Sequence, residues 1–127
     1  MVELSRRQAE FCLQFPEMAA AAWSHCGFAC ECVLKAAIMD KERLNSWPSK
    51  GARKESHTHN LQDLAKILGW QPIPRDHVAP AWSVVVNWRR GHMYSLEMSP
   101  AAAQDLFDAT FGEEGVVTWI RQRFLKL

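Results

Sequence analysis

The sequence predicts an all-α protein, an up-and-down helical bundle of four main helices with a short N-terminal one before them. Three observations carry this. Ala19, Trp23, Cys26, Cys30, Val33 and Ala37 follow spacings of 4, 3, 4, 3 and 4, one apolar helical stripe. Two further helix starts bring their own caps, Asn60 with Asp63 and Ser99 with Pro100. Only Trp82 to Trp88 has the β-branched and aromatic bias of a strand. It has no second strand to pair with, and a lone strand leaves its backbone groups unsatisfied.

The elements follow in order. Leu4 to Phe15 reads as a short first helix carrying Ala9, Phe11, Cys12 and Phe15. Pro16 sits where a first-turn proline is tolerated, and the striped second helix runs from there to about Arg43. Ser24, Glu31, Lys35 and Glu42 lie on another, polar face, with Glu31 and Lys35 as an i,i+4 pair. Asn45 to Thr58 is a polar, locally basic loop. Asn60 caps a third helix with Leu61, Leu64, Ala65 and Leu68 on one face, and Gly69 ends it. Pro80 to about Arg89 is helical by elimination, with Val78, Trp82, Val85 and Val86 inward. The last helix opens at Ser99-Pro100, pairs Phe107 with Phe111, and continues through Val117, Ile120 and Phe124. Gly112 and Gly115, each costing about 1 kcal/mol inside a helix, mark a kink or break.

Residues 1–127 make one domain at roughly 100–200 residues per domain. Fifteen basic and fourteen acidic residues leave a net charge of +1. That excludes holding nucleic acid by bulk charge, though not a local basic site. Charges at Glu3, Arg6, Arg7 and Glu10 interrupt the N-terminus where a signal peptide would be apolar, and the longest uncharged run, Met18 to Cys30, is too short to span a membrane. The expectation is a cytoplasmic protein with reduced thiols and no membrane partner. Six tryptophans in a half-apolar chain exceed what one thin bundle hides, so a two-fold dimer built on helix faces is expected.

Three clusters carry chemistry. Cys26 and Cys30 share a helical face with His25 nearby, but Cys32 points about 200° away from Cys30. Tetrahedral zinc sites usually draw ligand pairs from a loop, so these are read as packing thiols, with no metal or cofactor expected. His57 and His59 precede the third helix. Either a helix-entry histidine bonds the backbone there, or Arg53, Lys54, His57 and His59 form a phosphate- or nucleic-acid-facing patch. The densest polar cluster is Arg89, Arg90, His92 and Tyr94. Arginine forks suit phosphate and histidine moves protons near neutral pH, so together they suit metal-free phosphodiester cleavage. The competing explanation is a solvated helix end whose cations offset the dipole.

These segments together resemble the HEPN superfamily. Ala29-Cys-Glu31-Cys-Val-Leu34-Lys35-Ala36 resembles its A-x-E-x-x-L-K-A core, and His59-Asn-Leu61-Gln-Asp-Leu64 its H-x-L-x-x-L helix entry. Trp88 with Tyr94-Ser95, then Trp119-Ile120, resembles its W-x5-Y-S segment and closing W-I helix. The resemblance implies a small helical bundle that dimerises and serves a prokaryotic defence or toxin–antitoxin module, often beside a nucleotidyltransferase. Nuclease members cleave RNA without metal through an R-x4-6-H motif. Here the H-x-Y part is present, but only two residues or one separate Arg89 or Arg90 from His92. Two functions follow: a non-catalytic accessory and interaction domain linked to RNA or nucleotide, or a metal-independent endoribonuclease using Arg89, Arg90, His92 and Tyr94.

Overall fold

The computed structural model describes residues 2–43, 58–69, 77–89, 92 and 98–125, and these are all helix, turn or irregular chain. The expectations for Arg53, Lys54, His57, Arg90 and Tyr94 lie outside the described residues.

The first helix, α1, spans Val2–Leu13, not Leu4 to Phe15. Its end has a local cause. Phe15 precedes Pro16, and the proline ring pushes the preceding residue out of the helical region. Phe15 is accordingly extended, at φ −125° and ψ 115°. Nor is α1 the short member of the set: at 12 residues it equals α5, Pro100–Phe111. One 3₁₀ turn, Pro16–Met18, then leads into α2, Ala19–Glu42.

α2 is the element the others pack on: α1, α3 (Leu61–Leu68), α5 and α6 (Val116–Ile120) all touch it. Its predicted stripe is buried, with Trp23 alone only half-buried. It ends at Arg43 in the left-handed conformation, φ 55°, with the Arg43 N–H on the Asp40 and Met39 carbonyls. Glu31, on a different face from the apolar stripe, is nevertheless buried at 2% exposure.

α3 is capped as its sequence demands. The Asn60 side chain accepts from the N–H groups of Gln62 and Asp63. At the far end Gly69 adopts φ 87°, and Lys41 Nζ donates to the Leu68 carbonyl at 2.8 Å. Two contacts fix its direction. His59, just before α3, meets Glu31 midway along α2, and Leu68 at its end meets Lys41 near the end of α2. α3 therefore runs broadly the same way as α2. This consecutive pair does not alternate, and the up-and-down order expected from the sequence fails here.

The ambiguous segment is helical: α4 spans Ala79–Val85, with Val78, Trp82 and Val85 buried and Val86 half-buried. α5 starts at Ser99, whose side chain accepts from the Ala102 N–H, and its Phe107 and Phe111 rings lie 5.1 Å apart. The glycine stretch is a full break. α5 stops at Phe111, Gly115 caps α6, and Arg121–Leu125 forms a π-helical turn. The freed Gly112 carbonyl accepts from the Thr118 hydroxyl at 3.2 Å.

The core joins α2 and its partners through Leu34, Ile38, Leu61, Leu64, Trp82, Trp88, Leu106 and Ile120. Each such side chain contributes roughly 1.5–3 kcal/mol by leaving water. The closest approach is between Trp88 and Gly27. A Cβ on Gly27 would lie 1.9–2.1 Å from the Trp88 indole, so only glycine lets the ring seat against α2.

Candidate functional site

Two polar clusters form where other segments meet α2. The first lies just past α4. Trp88, 2% exposed, anchors it on Gly27, and its buried Nε1 has no hydrogen-bond partner among the described residues. Arg89 follows. Its Nη1 donates to the carbonyls of Val86 at 2.9 Å and Trp88 at 2.8 Å. The guanidinium therefore lies along the chain that ends α4, where a cation offsets the helix dipole.

His92 closes a turn on the same residue. Its N–H donates to the Arg89 carbonyl at 3.1 Å, and the Arg89 N–H donates back to His92 Nδ1 at 3.2 Å. Trp23 Nε1 on α2 donates to the same Nδ1 at 3.0 Å, with the two rings edge to face at 5.6 Å. Both bonds need a lone pair on Nδ1, so the ring proton sits on Nε2. His92 thus spends its basic nitrogen on the fold and keeps Nε2 as its N–H donor.

The second cluster is the entry to α3. His59 Nδ1 lies 3.0 Å from Glu31 Oε1, and Lys35 Nζ lies 3.5 Å from Glu31 Oε2. The Glu31 side chain is 3% exposed and that of His59 is 50% exposed. A carboxylate only accepts, so His59 Nδ1 carries the proton and Nε2 offers its lone pair outward. The partner of His59 is thus a buried side chain from another helix, not the backbone expected at a helix entry. The Thr58 hydroxyl pairs with the Asp63 carboxylate at 3.2 Å and accepts from the Asn60 N–H at 3.0 Å. With Asn60 on two helix amides and Asp63 beside them, the α3 N-terminus is already capped and already carries negative charge. The amides of Gln62 and Asp63 are thus already satisfied from within the chain.

The structure joins Glu31 and Lys35 of one predicted motif to His59 of another, over 28 residues. Among the candidates for cleavage it brings Arg89 to His92 through backbone and ring, with the Arg89 Nη1 turned away onto carbonyls. Gly27 and Trp23 escaped the sequence reading as partners of this region. Gly27 had a signal: a glycine in mid-helix costs about 1 kcal/mol, and a close approach is the usual reason to keep it.

Three of the four thiols, Cys12, Cys26 and Cys30, are buried. Cys26 and Cys30 are fully buried, and Cys30 Sγ lies 3.7 Å from the Thr110 hydroxyl. Burial pushes the Cys30 thiol up to about 12, against the Thr110 hydrogen bond, and pushes Cys26 up further still. Partial burial lowers His25 below the ordinary histidine value. Among the described residues no three His, Cys, Asp or Glu side chains gather to hold a metal. No described helix is long and apolar enough to cross a membrane. Set against known protein families, curated proteins and solved structures, the chain matches none.

Proposed function

We propose that the chain is a HEPN-like accessory and interaction domain, a helical bundle acting as a cytoplasmic homodimer. It serves a prokaryotic defence or toxin–antitoxin module, linked to RNA or nucleotide binding, with a nucleotidyltransferase or other protein as its partner. One observation supports this over catalysis. His92 Nδ1 accepts from both Trp23 and Arg89, and Arg89 Nη1 rests on the Val86 and Trp88 carbonyls. Groups that tie down a chain segment are poorly placed to converge on a phosphate. The contact of Glu31, itself paired with Lys35, with His59 also supports the resemblance, because it makes one unit of two separate motif segments.

The test is incubation of purified wild-type protein with single-stranded RNA in EDTA. No cleavage above a buffer control is expected. Cleavage that disappears in His92→Ala would overturn the non-catalytic reading, since loss of a proton donor costs a factor of about 10²–10⁴.

A metal-independent endoribonuclease is the second reading, and a different histidine favours it. His59, oriented by a buried carboxylate and offering Nε2 outward, has the arrangement of a general base. Cleavage lost in His59→Ala and kept in His92→Ala would select it.

A further inference from the structure

The large apolar side chains left exposed among the described residues gather at one place: Leu4 at 52%, Phe11 at 56% and Phe15 at 36%. Leu4 and Phe11 are seven residues apart, so they stand within about 20° of each other around the α1 axis. Phe15 lies beyond the helix, but its ring turns back onto Phe11 with centroids 5.3 Å apart. Ser5, Ala9 and Cys12 form the buried face of the same helix. α1 is therefore apolar on two sides, and its own core covers only one.

The charges of α1 narrow what covers the other. Glu3 pairs with Arg7 at 3.9 Å and Glu10 with Arg6 at 3.2 Å, two acids against two bases. An anionic lipid surface or a nucleic-acid backbone is drawn by uncompensated cations, and these arginines are already paired along the helix. A neutral face has no charge barrier against a second copy of itself, and a two-fold axis lets one patch serve both copies.

We propose that Leu4, Phe11 and Phe15 form the interface on which two copies of this chain meet about a two-fold axis. The proposal rests on the homodimer reading above and supplies its surface. Size sets its strength. With a whole Leu or Phe side chain at about 200 Å², the exposed patch is roughly 300 Å² per copy. Interfaces are about three-fifths apolar, which gives about 500 Å² per copy and about 1,000 Å² in all. That is the lower edge of specific interfaces, so the dimer is reversible and micromolar or weaker.

Sedimentation equilibrium of the full chain from about 1 to about 300 µM tests it, because such a dimer forms by mass action. Wild type is expected to rise from 14.5 kDa toward twice that mass. Phe11→Glu with Phe15→Glu is expected to weaken association at least tenfold, with little change in melting at concentrations where wild type is monomeric, because both rings are already partly exposed. Leu4→Lys, at the other end of the patch, is a second variant expected to weaken association, and Phe11→Leu is expected to retain it. A wild-type dimer indifferent to Phe11→Glu/Phe15→Glu and to Leu4→Lys would overturn this face and leave the homodimer reading standing. Wild type at 14.5 kDa throughout would remove both. Binding to phosphatidylcholine–phosphatidylserine vesicles without self-association would assign the face to a membrane and overturn the proposal.

Discussion

His59 and His92 both meet α2 through Nδ1, at Glu31 and Trp23, eight residues apart. The two partners differ in kind. Glu31 can only accept, so His59 keeps its proton inward and shows a lone pair to solvent. Trp23 can only donate, so His92 keeps its lone pair inward and its proton on Nε2. The same side chain, held by the same atom, thus offers opposite chemistry at two places along one helix. For His59 the partner on α2 sets that chemistry; for His92 Trp23 and the nearby Arg89 N–H set it together.

The two places are anchored differently, and the largest expected effect comes from the His92 side. Gly27→Ala places a methyl inside the Trp88 ring, and Trp88 holds the segment that carries Arg89 and His92. A loss of about 3 kcal/mol or more is expected in denaturant unfolding, at the upper end of overpacking effects. A loss below about 0.5 kcal/mol would mean the ring can sit elsewhere.

On the His59 side, Glu31→Ala removes a buried carboxylate and strips His59 and Lys35 of a shared acceptor. The expected cost is about 2 kcal/mol, below that of a fully buried pair because His59 is half exposed. Glu31→Gln should recover part of it, since an amide oxygen still accepts. Equal losses for the two variants would show that charge, not acceptance, holds the cluster.

Trp23→Phe should cost about 1 kcal/mol, the usual worth of one hydrogen bond, while the Arg89 N–H keeps the His92 tautomer in place. Nitrogen NMR checks the contrast itself: protonated Nδ1 for neutral His59 and protonated Nε2 for neutral His92. Matching tautomers at the two sites would break the comparison.

The smallest effect belongs to His25, which lies on α2 between the two anchors. Its folded pKa is lowered by burial from 6.5, so below about pH 6.5 the unfolded chain takes up a proton that the folded chain resists. Stability is therefore full above that pH and falls as pH drops through it, and His25→Gln should flatten this slope. The buried thiols act at the opposite end. Cys26 and Cys30 keep their protons when folded, so stability should fall as pH rises above about 9 and the unfolded chain ionises.

Local signals were legible in the sequence and long-range ones were not. Asn60, Gly69 and Ser99 were readable because a cap acts within three or four residues of itself. The glycines at 112 and 115 announced their break for the same reason. Phe15 was misplaced although a local rule, the restriction before proline, applied to it. Glu31 was placed on a different face from the apolar stripe by its spacing; what it meets there is His59, 28 residues away, and no periodicity reports that contact. The direction of α3 escaped likewise, because it is fixed by side chains at both of its ends.

That double fastening has a consequence for motion. At eight residues α3 is too short to persist alone in water, where isolated helices below about 12–15 residues are marginal. It is held between the Glu31 carboxylate at one end and the Lys41 ammonium at the other. Releasing either end leaves the segment held by the burial of Leu61, Leu64, Ala65 and Leu68 alone. α3 is thus a natural unit of sub-global opening, swinging away while α1, α2 and α5 remain assembled. Amide hydrogen exchange in 61–68 should run ahead of exchange in the centre of α2, and loss of Glu31 or Lys41 should speed it for the whole segment at once.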